Sequence, residues 1–102
     1  MLERNIERNC GNYARDQGVM HLKFTSPGRA AVPDRLVLAQ IPDWLVPVVA
    51  KYICFIEYKR KGQEPTVPQQ REHARLRALG FTVHVIDNTD DGKVVIDAMG
   101  DK

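Results

Sequence analysis

Apolar positions recur along this chain in two rhythms. Over residues 2–17 they fall at Leu2, Ile6, Cys10, Tyr13 and Ala14, the three- and four-residue spacing that lines one side of an α-helix. Arg4, Arg8 and Arg15 gather on the opposite face, and Gly18 supplies a stop. The rhythm then shortens. Residues 19–25, 34–39 and 52–59 read as three strands, separated by the turn Ser26-Pro27-Gly28-Arg29 and by an irregular link containing Pro42 and Pro47. The third run is apolar on both faces, which marks a central strand. A polar loop over 60–65 leads to a helix from Thr66 to about Leu79, closed by Gly80. Residues 82–87 form a fourth strand, 88–92 a turn, and 94–99 a short last helix.

The order α-β-β-β-α-β predicts an α/β fold. Its first three strands form a meander, and the second helix crosses over to a parallel fourth strand. This gives one mixed four-stranded sheet flanked by helices. At 102 residues the chain is expected to be a single domain over 1–102. No apolar run reaches the roughly 18–20 residues that span a bilayer. The amino end has no apolar signal segment, and Cys10 and Cys54 fit no metal or redox spacing. These features predict a cytoplasmic protein with reduced thiols.

Charge adds a partner. The formal net charge is +2, but residues 87–102 carry five acids and two bases. The remaining thirteen bases and eight acids leave a basic body over 1–86. A polyanion suits that body, and an ordinary mixed surface explains it equally well.

Three charges sit where a core would be expected. Asp34 opens one apolar run, in Val32-Pro33-Asp34-Arg35-Leu36, and Glu57 and Lys59 interrupt another, in Phe55-Ile56-Glu57-Tyr58-Lys59. Strand side chains alternate, so Glu57 and Lys59 share a face. Two carboxylates and an ammonium on one patch suit a hydrated divalent cation and hydrolysis of a phosphodiester. The alternative is an ion pair between Glu57 and Lys59 with Asp34 as a turn or cap residue; a desolvated ion pair is rarely favoured for stability alone.

Other residues carry two readings. Glu3 lies roughly 50° from the centre of the first helix's apolar stripe; it is either a member of the site or a first-turn acid favoured by the helix dipole, with Glu7 as the fallback. Gln69 completes the capping box Thr66-x-x-Gln69, at a helix start where phosphate also binds. His73, on the same helix face as Gln69 and Leu76, reads as a partly satisfied surface histidine. Lys23, Arg29, Arg35, Arg60 and Lys61 flank these segments and are candidates for phosphate contact.

The ordered string Ser26-Pro27-Gly28-Arg29, Val32-Pro33-Asp34-Arg35-Leu36, Phe55-Ile56-Glu57-Tyr58-Lys59-Arg60-Lys61-Gly62, Pro65-Thr66, Gln69 and Leu76-Arg77-Ala78-Leu79-Gly80-Phe81-Thr82-Val83 resembles the virus-type replication-repair nuclease (VRR-NUC) domain. That domain belongs to the PD-(D/E)XK superfamily, whose core is restriction-endonuclease-like. The likeness spans nearly the whole chain. It implies that Asp34 and Glu57 are metal-binding acids, that Lys59 is the catalytic lysine, and that Gln69 and Glu3 support them. Apart from the resemblance, the main-chain carbonyl of Tyr58 is a candidate for a further oxygen ligand. The implied activity is a Mg²⁺-dependent endodeoxyribonuclease, with Mn²⁺ as a substitute, acting as a homodimer on branched DNA such as Holliday junctions in replication, repair and recombination. Two other readings are a binding module that holds branched DNA without cutting it, and a nuclease of linear DNA. The sequence departs from the family at Ala31, where glycine is usual, and in the long apolar link 40–51, which is either an interface or a core plug.

Overall fold

The amino-terminal apolar rhythm does make a helix, α1, Glu3–Asp16. Gly18 ends it at a φ of +72°. Its N–H donates to Arg15 at 3.0 Å, and that of Val19 reaches Ala14 at 2.9 Å, the paired bonds of a glycine-terminated helix. These features belong to a computed structural model that describes residues 2–25, 28–29 and 31–101. The chain is mixed α/β and packs as two compact units, residues 1–40 and 41–102.

In the first unit α1 is followed by β1, Met20–Lys23, and β2, Arg35–Leu38. The two strands are antiparallel, with Met20 opposite Leu38 and Lys23 opposite Arg35. α1 packs closely enough that a Cβ on Gly11 would meet His21 Nδ1 at 3.2 Å. Leu38 is buried, whereas Leu2, Ile6 and Tyr13 of the helical stripe stay half or more exposed. Of the expected turn before β2, Ser26 and Pro27 lie outside the described residues. Ala31 adopts a φ of +64°, a left-handed conformation that favours glycine.

The second unit holds a 3₁₀ turn, Asp43–Leu45, then α2, Val46–Val49; β3, Phe55–Tyr58; α3, Val67–Ala78; β4, Val83–Ile86; and α4, Thr89–Asp97. β3 and β4 are parallel, Phe55 opposite Val83 and Tyr58 opposite Ile86, as a strand–helix–strand crossover requires. Ile41, Leu76, Phe81, Val83 and Ile86 are buried, and the rings of Phe55 and Phe81 meet edge to face at 5.8 Å. Gly80 lets the end of α3 approach this core. Its φ is +100°, and a Cβ there would lie 3.0 Å from Val46 and 3.2 Å from Ile41. Near the carboxyl end, Gly100 N–H donates to the Lys51 carbonyl at 2.6 Å and the Tyr52 hydroxyl donates to Asp101.

Four expectations change. The described strands form two two-stranded sheets instead of one four-stranded sheet. The reason lies in the link after β2. Residues 43–49 coil into helical turns, and the N–H groups of Tyr52 and Ile53 still point back to Val49, each at 2.9 Å. β3 therefore starts at Phe55 and not at 52. Pro47, read as a breaker, sits in the first turn of α2, where its missing N–H is harmless. Finally, residues 88–92 are no turn. Asn88 caps α4 by accepting from Asp91 N–H at 2.9 Å, so the helix begins at Thr89.

Candidate functional site

In the first unit, Glu3, Glu7, Lys23, Phe24 and Asp34 line a cleft of about 610 Å³. Glu3 comes from the first turn of α1. Asp34 stands one residue before β2, and its carbonyl accepts from Phe24 N–H at 2.8 Å. That bond continues the β1–β2 ladder and holds the exposed acid at the cleft. Arg35, a candidate for phosphate, instead donates to Glu7 Oε1 at 2.6 Å. The hydrogen bond from Arg35 holds the Glu7 carboxyl below the usual carboxylate range. Glu7 raises Arg35 in return. The pair is partly exposed, so its contribution is screened.

In the second unit, Phe55, Glu57, Gln69, Glu72, His73 and Leu76 line a cleft of about 350 Å³. Glu57 is half-buried on β3, and its Oε1 lies 3.2 Å from His73 Nε2. His73 is only 6% exposed, not the surface histidine expected. Gln69 is committed to the capping box. Its Oε1 accepts from Thr66 N–H at 2.9 Å, while its own N–H reaches Thr66 Oγ1 at 3.3 Å. Lys59, expected to share a patch with Glu57, lines a different cleft of about 380 Å³ with Tyr58, Asp87, Asn88 and Lys93. Lys59 follows the last residue of β3, and its N–H donates to the Ile86 carbonyl at 2.9 Å.

Arg60 and Lys61 occupy the loop after β3, where Gln63 N–H closes a turn onto the Arg60 carbonyl at 2.9 Å. Gly62 N–H anchors that turn to Asp87 Oδ2 at 3.1 Å. This bond, with help from Asn88, holds the Asp87 carboxyl below its ordinary value. Arg29 is exposed. Sequence reasoning missed the partnership of His73 with Glu57 and the anchoring role of Asp87. The helical spacing of Gln69, His73 and Leu76 was the available signal for the first.

Among the described residues, neither unit gathers three His, Cys, Asp or Glu side chains able to hold a metal ion. Mg²⁺ does not need such a cage. It keeps several waters and takes one or two carboxylates together with substrate phosphate. Glu3 and Asp34 in one cleft, and Glu57 in the other, are hard oxygen donors of the right type. Taken separately, each cleft offers carboxylate oxygens of the kind a hydrated divalent cation accepts. Among the described residues, no helix is long and apolar enough to cross a membrane.

The chain is 44% identical over 88 residues to a protein of Acyrthosiphon pisum secondary endosymbiont phage 1 that bears the name "Putative nuclease p44". The match covers 86% of this chain and 85% of the phage protein. No protein-family profile and no solved structure matches the chain.

Proposed function

We propose, on the premise that this chain belongs to the same protein family as the phage protein, that it is a nuclease acting on DNA. The kinship along most of both chains carries this reading. In finer terms it is a Mg²⁺-dependent endodeoxyribonuclease of PD-(D/E)XK type, with Mn²⁺ as a substitute. The ordered motif string and the oxygen chemistry of its acids support that assignment. The resemblance to the virus-type replication-repair nuclease domain assigns Asp34 and Glu57 to the cation, with Glu3 in support, and the Tyr58 carbonyl is a further candidate oxygen. When bound, it would neutralise charge on the scissile phosphate and lower the pKa of a coordinated water.

The chain's own groups do the rest. The Lys59 ammonium orients the attacking water and offsets the charge that builds on the pentavalent phosphorus. Gln69 fixes the start of α3 beside the acid on β3. Lys23, Arg29, Arg60 and Lys61 meet backbone phosphates, which positions a strand without reading its sequence. Arg35 acts indirectly, by holding Glu7. The substrate is branched DNA such as a four-way junction, and a two-fold pair of chains would make paired cuts in it. Both of these last points rest on the resemblance to the virus-type replication-repair nuclease domain.

The test is incubation of purified protein with end-labelled linear duplex, flap and four-way-junction DNA in Mg²⁺, in Mn²⁺ and in EDTA. Products should appear only with a divalent cation, and first from the junction. Retention of the junction without products under both metals would replace the enzyme by a binding module. Equal cutting of linear duplex would remove the preference for branches.

A further inference from the structure

We propose that His73 is a positioning residue, which holds the Glu57 carboxylate in place for the divalent cation; this rests on the metal-dependent reading above. His73 is the buried polar side chain of the second unit's core, at 6% exposure. An imidazole so placed is destabilising without a partner. Its partner is Glu57, sixteen residues away in sequence and on a different element, with Nε2 3.2 Å from Oε1. An ionised carboxylate only accepts hydrogen bonds, so Nε2 carries the hydrogen.

The other polar residues of this cleft are engaged elsewhere. Gln69 is bound to Thr66, and Glu72 accepts from Arg75 at 3.0 Å. His73 is therefore the cleft residue that restrains Glu57. The bond occupies Oε1 and leaves Oε2 without a hydrogen-bond partner among the described residues. A carboxylate with one oxygen restrained and the other open is a prepared ligand: less side-chain freedom is lost when it takes up a cation. Outer partners of this kind typically change metal affinity by about 10–100-fold.

The experiment uses the full chain and Mn²⁺ as the probe. Calorimetric titration gives the Mn²⁺ affinity, and DNA cleavage is followed across Mn²⁺ concentration, for the natural chain, His73→Leu and His73→Gln. His73→Leu removes the donor, so affinity should fall by about 10–100-fold and the Mn²⁺ needed for half-maximal cleavage should rise in step. Saturating Mn²⁺ should then restore most of the rate. His73→Gln keeps an N–H donor and should stay within about threefold of the natural chain. Thermal melting checks folding, and His73→Met, also without a donor, replaces His73→Leu if that variant does not fold. A folded donor-less variant with natural Mn²⁺ affinity overturns the role of His73. A natural chain that takes up no Mn²⁺ overturns the metal reading itself, before any substitution is compared.

Discussion

The two units place their candidate acids in opposite settings. In residues 1–40 Asp34 is exposed at the foot of a short hairpin, no residue of α1 is buried, and the apolar stripe of that helix stays open to solvent. In residues 41–102 Glu57 is half-buried beside a histidine that is itself buried, next to a core of Leu76, Phe81, Val83 and Ile86. An exposed acid is free to be spent on chemistry alone. A buried acid with a buried partner serves stability as well, and its loss should be felt twice.

Catalysis offers the largest effect with which to break this contrast. Asp34→Ala and Glu57→Ala should each reduce cleavage by roughly a thousandfold, beyond the loss expected for an outer partner. Initial rates on labelled DNA would show it, and near-normal cutting by either variant would remove that acid from the reaction. Denaturant melts should separate the same two variants. Asp34→Ala should stay within about 0.5 kcal/mol of the natural chain, whereas Glu57→Ala leaves His73 unpartnered and should lose about 1–3 kcal/mol.

Packing sharpens the comparison next. Leu76→Ala should destabilise by about 2–5 kcal/mol, and Ile6→Ala, on the open stripe of α1, by about 0.5 kcal/mol or less. Equal losses in urea melts would mean that the two units do not differ in how they bury apolar surface. Thr66→Ala removes the hydroxyl that accepts from Gln69 N–H, leaves the backbone half of the capping box in place, and should lose about 1 kcal/mol. Ala31→Gly relieves a left-handed backbone and should gain up to about 1 kcal/mol.

The acid limb of stability contains the smallest effect. Both Glu7 and Asp87 have carboxyls lowered in the folded chain, by Arg35 and by the Gly62 N–H respectively. A lowered carboxyl stabilises the fold above its unfolded value, and that gain disappears as pH falls through the folded one. Glu7→Gln and Asp87→Asn should each flatten the decline of melting temperature on acidification. A steeper decline in either variant would contradict the sign.

What could be read from the sequence followed local rules. The capping box of α3, the glycine stop of α1 and the four strand centres are each specified within a few residues, and all appear. Pairing is not local, and a period of two cannot say which strand lies beside which. Two breakers were misread for a related reason. Gly92 looked like a turn residue, but it is buried within α4, where an added Cβ would lie 3.5 Å from Ile86. Pro47 looked like an interruption and instead sits in the first turn of α2. The helical spacing that puts His73 on the face of Leu76 hints at an inward side chain, but its partner Glu57 lies on β3, and no inspection of the helix alone could name it.

Lys51 and Tyr52 take hold of Gly100 and Asp101. Together with α4, this makes the negative segment a fixed part of the second unit's architecture. Its acids are thus carried on elements of that unit, Asp90, Asp91 and Asp97 on α4 and Asp101 on the Tyr52 hydroxyl. That fastening has an alkaline limit. Asp101 raises the Tyr52 phenol above its ordinary value, and once the phenol ionises, two negative groups face each other and that half of the clasp is lost, while the Gly100–Lys51 bond remains.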